Sequence, residues 1–103
     1  MEESSRKVHI TTFRLSSGTV AELVDLIIRP GNLADILRAA DGFCSYDIVD
    51  IGDGRITSMS VWTSPVAAEA VRTPVAHWMR DNLVDRAEMT DMAIGPLALH
   101  VEP

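Results

Sequence analysis

Residues 44–62 read CSYDIVDIGDGRITSMSVW. Two runs rich in β-branched and aromatic residues, Cys44 to Ile51 and Arg55 to Trp62, flank Gly52-Asp53-Gly54. Asp-Gly is the favoured pair for a two-residue hairpin turn, because both central residues of that turn need positive φ. The segment therefore predicts an antiparallel hairpin. Side chains alternate along a strand, so Cys44, Tyr46, Ile48 and Asp50 oppose Ser45, Asp47, Val49 and Ile51. In the second arm Ile56, Ser58, Ser60 and Trp62 oppose Thr57, Met59 and Val61. Each side carries apolar or aromatic groups and neither carries Lys or Glu, which predicts a sheet covered on both faces.

Upstream, Lys7 to Leu15 (KVHITTFRL) is a further strand pattern. His9, Thr11, Phe13 and Leu15 share one face and Val8, Ile10 and Thr12 the other. Ser17 or Thr19 can cap a following helix, with Glu22 completing a capping box on Thr19. Val20, Leu23, Val24, Ile27 and Ile28 keep a helical period, and Ala34, Leu37 and Ala40 continue it past Pro30-Gly31. The spacing predicts one helix from Val20 to Ala40 kinked at Pro30, or two shorter helices meeting there, ended by Asp41-Gly42.

Downstream, Ser64-Pro65 opens a second helix, a cap followed by proline at the first helical position. Its stripe runs Ala67, Val71, Val75, Trp78, Met79 and Leu83, with a kink expected at Thr73-Pro74 and an end near Asp85. Met92 to Val101 predicts the last strand, with Gly95-Pro96 marking a bulge or an edge. Met1 to Arg6 reads as a frayed arm and residues 7–103 as one domain. The order β-α-β-β-α-β predicts an α+β, ferredoxin-like fold: a four-stranded antiparallel sheet with two helices on one face.

Two helices leave the opposite apolar sheet face bare. Such a face is unusual on a soluble monomer, and a two-fold copy is the commonest cover. The expectation is a homodimer joined sheet to sheet. A domain of 103 residues has little interior to spare, so a useful pocket is expected between the two copies.

Charge removes several function classes. There are 15 Asp and Glu against 9 Lys and Arg, a net of −6, and Lys7 is the single lysine. Nucleic acid and anionic membrane surfaces are thus not expected partners. Cys44 stands alone, so neither an intrachain disulfide nor a multi-cysteine zinc site can form within one chain. MEESSRKVHI lacks the apolar core of a signal peptide and no run of about 18 apolar residues occurs, so a cytoplasmic protein is expected.

The stretch Gly42 to Val71 resembles the antibiotic-biosynthesis-monooxygenase-like group of dimeric α/β-barrel proteins. It is similar in the Gly42-Phe43 opening with Tyr46, in the Asp50 to Gly54 hairpin, and in the alanine-rich helix that closes on Trp78, Asn82 and Leu83. The resemblance extends over residues 7 to 101. It implies a ferredoxin-like protomer whose sheet pairs with a second protomer into a barrel. It also implies a spread of activities: cofactor-free oxygenases of aromatic polyketides, haem-degrading enzymes, and small bacterial proteins without assigned catalysis. Fold alone does not choose among them.

Four residues are candidates for chemistry. Trp62 ends a strand where, by that resemblance, oxygenases line their cavity, and its indole N–H can donate to a quinone-like oxygen. His9 and Tyr46 lie on near strands and are expected to reach the barrel interior, one as general base and one as orienting phenol. His77 lies on the second helix, where haem-degrading relatives carry an axial ligand; the asparagine that accompanies it has no counterpart, since the first strand offers Thr11 and Thr12. Ser58 and Ser60 are small hydroxyls that leave cavity space. Asp47, Asp50 and Asp53 read as solvated hairpin acids and Cys44 as an inert buried thiol. No cofactor and no metal are expected. The expectation is a small-ligand-binding homodimer acting as a cofactor-independent oxygenase on a small aromatic or polyketide compound, or else a non-catalytic ligand-binding dimer.

Overall fold

The computed structural model describes residues 6–103. Of the expected arm, Met1 to Ser5 lies outside the described residues, and the Arg6 carbonyl accepts from the Leu97 N–H at 2.9 Å. The elements are β1 (Lys7–Leu15), α1 (Val20–Ile28), α2 (Leu33–Arg38), β2 (Phe43–Gly52), β3 (Arg55–Trp62), α3 (Pro65–Ala70), α4 (Arg72–Leu83) and β4 (Ala87–Pro96). The strands form one antiparallel sheet in the order β2-β3-β1-β4. This is the ferredoxin-like α+β arrangement.

The β2–β3 hairpin turns on Asp53 and Gly54, both at positive φ (56° and 73°), as a type I′ turn requires. Asp50 Oδ1 accepts from the Gly52 N–H at 2.9 Å and steadies the approach to the turn. At the start of α1 the capping box is complete: Thr19 Oγ1 accepts from the Glu22 N–H at 3.1 Å, and Glu22 Oε1 accepts from the Thr19 N–H at 2.8 Å.

Of the two arrangements expected for Val20 to Ala40, a kinked helix or two shorter helices meeting at Pro30, the structure has the second, as α1 and α2. Arg29, preceding Pro30, is extended (φ −61°, ψ 145°), and Gly31 is left-handed at φ 81°. A residue before proline is pushed out of the helical region, so the ladder stops there. The second predicted helix also divides, but at Val71 and not at Thr73-Pro74. A proline ring clashes with the carbonyl four residues back. For Pro74 that is Ala70, the last residue of α3, and Pro74 itself sits harmlessly in the first turn of α4.

The last strand is Ala87–Pro96, five residues upstream of the predicted Met92 to Val101. Pairing with β1 sets its length, and Pro96 ends it because it has no N–H to give. The bulge lies away from Gly95-Pro96. Thr12 pairs with Asp91 and Phe13 with Met89, which leaves Thr90 as the extra residue.

The core lies between the sheet and the four helices. Phe13, Ile56 and Trp62 rise from the sheet against Leu23, Ile27 and Leu37 of α1 and α2, with Ala68 and Trp78 from α3 and α4. Trp62 is 1% exposed and meets Phe43 edge-on at 5.4 Å. The opposite sheet face has no helix on it, and Ile10, Met59 and Val49 stand 39%, 37% and 54% exposed there.

Gly42 joins α2 to β2 at φ 81°. A Cβ on Gly42 would stand 2.5 Å from Ala67 Cβ and 2.6 Å from Thr63 Oγ1, whereas one on Gly31 would meet nothing. Gly42→Ala therefore combines left-handed strain with overpacking and should cost about 3 kcal/mol or more. Gly31→Ala should cost only about 1–2 kcal/mol. Urea denaturation of both variants checks the difference; equal losses would mean that the close approach at Gly42 is relieved cheaply.

Candidate functional site

The sheet's helix-facing side carries a polar row inside an otherwise apolar wall. The register makes Tyr46, Ser60, His9 and Ile94 direct cross-strand partners from β2 through β4. The next row is Ile48, Ser58, Thr11 and Met92. Side chains opposite each other in such rows stand roughly 4.5–5.5 Å apart at Cβ. These groups open into a cavity of about 260 Å³. Helices α1, α2 and α4 close its far side through Leu23, Leu37 and Trp78 among others, and Met89, Met92 and Ile94 form its wall on β4. Those three are 49%, 54% and 48% exposed, so the cavity opens toward the β4 edge.

The cavity therefore lies within one chain, between sheet and helices. A pocket between two copies was the expectation. The lining gives the reason: the sheet side chains beneath the helices include the small Thr11, Ser58 and Ser60, which leave the space between the layers unfilled. Apart from Arg72 at the start of α4, the helix side chains around the cavity are apolar, because the helices turn their apolar stripes inward.

His9, Tyr46 and Trp62 all line this cavity. His77 does not; it is exposed on α4 beside the lining residues Ala76 and Trp78. Cys44 is exposed, where a buried thiol was expected. The register puts Asp47 and Asp50 on opposite faces of β2. Among the described residues no three His, Cys, Asp or Glu side chains gather into a group able to hold a metal ion.

Hydrogen bonding divides the polar groups into spent and unspent. The Trp62 indole N–H donates to Ser60 Oγ at 3.0 Å, so it is not free to reach a ligand oxygen as the sequence reading expected. Ser60 receives that bond and keeps its own proton. Burial pushes the Tyr46 phenol above the ordinary value, with the Ser58 hydroxyl pulling the other way, so it stays neutral. Ser58 Oγ in turn donates to the Thr11 carbonyl in a long contact of 3.5 Å. The His9 ring and the Thr11 hydroxyl make no hydrogen bond among the described residues. Partial burial, then the charges of Lys7 and Arg72, lower the His9 pKa, while Glu69 pulls the other way. His9 is thus a neutral imidazole at pH 7, a base beside an unspent hydroxyl.

Arg72 lines the cavity too, and sequence reading missed it. It directly follows the break at Val71, and nothing in the local pattern places that break. Arg72 Nη1 pairs with Glu69 Oε2 at 2.8 Å, with both side chains well exposed.

No family model matches the chain, and no curated protein does. Solved structures do. SnoaB, a cofactor-independent oxygenase from Streptomyces nogalater, superposes with a TM-score of 0.72 at 17% identity, over 97% of this chain and 99% of that one. The chain has the fold of this oxygenase. The same fold is found in a protein of unknown function from Nitrosomonas europaea, with a TM-score of 0.77 at 12% identity over 99% and 98% of the two chains. An uncharacterised NIPSNAP-like domain protein from Burkholderia xenovorans gives 0.64 at 16%, over 98% of this chain and 91% of that one. The resemblance drawn from the hairpin and the second helix therefore holds as fold. No helix among the described residues is long and apolar enough to cross a membrane.

The lowered His9 pKa has a signed consequence. Between 6.5 and the lower folded value the unfolded chain binds the extra proton, so stability is lost as the pH drops through that window and is unaffected above it. Urea unfolding of wild type and His9→Gln should run parallel above pH 6.5. Below it the wild type should lose stability faster. Parallel curves throughout would mean that His9 is not desolvated.

Proposed function

We propose that the chain binds a small aromatic compound in the cavity between its sheet and helices, and oxygenates it without a cofactor. The observation that carries this reading is the convergence of a neutral His9, an unspent Ser60 hydroxyl and a neutral Tyr46 on an apolar cavity walled by both tryptophans. Apolar lining with a few convergent polar groups is the usual make-up of a ligand site. That SnoaB, with the same fold, is a cofactor-independent oxygenase is consistent with it.

In this reading His9 takes the proton of an acidic phenol as the aromatic ring sits against Trp62 and Trp78. The resulting electron-rich ring carbon forms a bond with molecular oxygen, the oxidant. The hydroperoxide then loses water and leaves a quinone. One dioxygen is consumed, one oxygen atom enters the product and the other leaves as water. Ser60, held by the Trp62 N–H, donates to the oxygen on which negative charge develops. Tyr46 fixes the row beside it.

A second reading is a non-catalytic ligand-binding dimer. It is favoured by one feature: no carboxylate among the described residues lines the cavity to orient the His9 ring, whereas catalytic imidazoles usually have such a partner.

The reading includes a homodimer through the bare sheet face, where Ile10, Val49 and Met59 are exposed. Burying apolar surface contributes roughly 25 cal/mol per Å². A second copy then leaves both cavities on the outer, helix-covered sides.

With 1,8-dihydroxynaphthalene as probe, the protein should take up one O2 per molecule converted, read by an oxygen electrode and by quinone colour. His9→Gln should slow the reaction about 100-fold or more. Uptake no faster than in buffer, with the probe still bound, would favour the second reading. Sedimentation equilibrium at low micromolar concentration should show a dimer that Met59→Glu dissociates. A lone 11.3 kDa species for the wild type would overturn the dimer.

A further inference from the structure

We infer that the ligand of this cavity is an anion on a one- or two-ring aromatic body, and that Arg72 at the cavity mouth receives its carboxylate. This rests on the reading of the cavity as an aromatic site and adds the charge and size of what enters it. Three observations carry it.

The first is a selective absence of acids. The chain has 15 Asp and Glu against 9 Lys and Arg. Yet none of those acids lines the cavity among the described residues, and the one full charge in its wall is Arg72. Arg72 stands at the mouth with its side chain well exposed, so its hold on a ligand charge comes from bidentate hydrogen bonding and not from burial. The overall negative charge of the chain is screened beyond roughly 10 Å, so it does not cancel that hold.

The second observation is where the charge falls. Arg72 and His9 line the same cavity, and the charges of Lys7 and Arg72 act on His9 against that of Glu69, so Arg72 belongs to the polar end of the cavity. A ligand whose ring lies near His9 therefore has a cation within reach. The present partner of Arg72 is Glu69, one turn away on α3 and well exposed. Exposed pairs of this kind are weak, and a ligand carboxylate can replace Glu69 in a bidentate pair, the geometry a guanidinium favours.

The third is volume. A closed apolar cavity of about 150 Å³ takes up benzene. The cavity here measures about 260 Å³ and opens at the β4 edge, so one ring or two fused rings sit inside it and a third ring reaches the opening.

The test uses 2-naphthoate, its neutral isostere 2-naphthamide, and anthracene-2-carboxylate. Binding is followed by tryptophan fluorescence, since Trp62 and Trp78 both line the cavity, and by calorimetry. Wild type should bind 2-naphthoate about tenfold or more tighter than the amide, the scale of a hydrogen bond to a charged group. R72Q should abolish that preference while still binding the amide, and E69Q should strengthen naphthoate binding. Anthracene-2-carboxylate should bind no more tightly than naphthoate, since its third ring stays in water at the opening. Equal binding of acid and amide, or a preference unchanged in R72Q, overturns the inference about charge and leaves the aromatic site standing. Tighter binding of the three-ring acid than of naphthoate overturns the inference about size. If neither naphthalene compound binds, the aromatic site itself fails and the inference with it.

Discussion

The register of β1 between β3 and β4 is the constraint on which the site depends. His9 faces Ser60 and Ile94, and Thr11 faces Ser58 and Met92. Alternation then fixes the rest: the odd-numbered side chains of β1 look toward the helices and the even-numbered ones look away. A slip of one residue would turn His9 outward and bring Ile10 into its place. The slip is opposed from the core side by Phe13, which is 7% exposed and packed with Ile56 and the helices. The residue that anchors the hydrophobic core is thus on the same strand, four positions along, as the residue offered for chemistry.

The inner face shows how a small core can carry polar groups without leaving them stranded. Burying an unpaired hydroxyl or indole N–H costs free energy. Trp62, 1% exposed, gives its N–H to Ser60. Trp78, also buried, gives its own to Asn32 Oδ1 at 2.9 Å, which ties α4 to the loop after Pro30. Both large indoles are satisfied by neighbours, so their faces are available as apolar walls. The groups left with capacity are small or at the cavity mouth, where water or a ligand can serve them.

Much of this fold was legible in the sequence because local chemistry determined it. Asp53-Gly54 specifies its turn, Thr19 with Glu22 specifies a helix start, and Ser64-Pro65 another. The placement of His9, Tyr46 and Trp62 on the cavity face follows from the period of a strand. What was not legible depends on tertiary balance. The break at Val71 is caused by Pro74 acting on Ala70, a clash across four residues that a hydrophobic stripe running through both does not reveal. The end of the last strand depends on the length of β1, its neighbour. The stripe of α4 turns Trp78 inward and so leaves His77 outside, but which side faces the sheet is decided only by packing.

Both outer strands of the sheet are irregular. β2 shifts register between Phe43 and Ser45 and again between Asp50 and Gly52. β4 carries Thr90 out of register and stops at Pro96. Acidic side chains, Asp47 and Asp50 on one rim and Glu88 and Asp91 on the other, accompany these interruptions. A flat, continuous rim invites the backbone of another molecule to add itself as the next strand. These rims offer only short pieces of template, each bent or charged. Crowded copies of this chain are thereby hindered from stacking rim to rim into fibres.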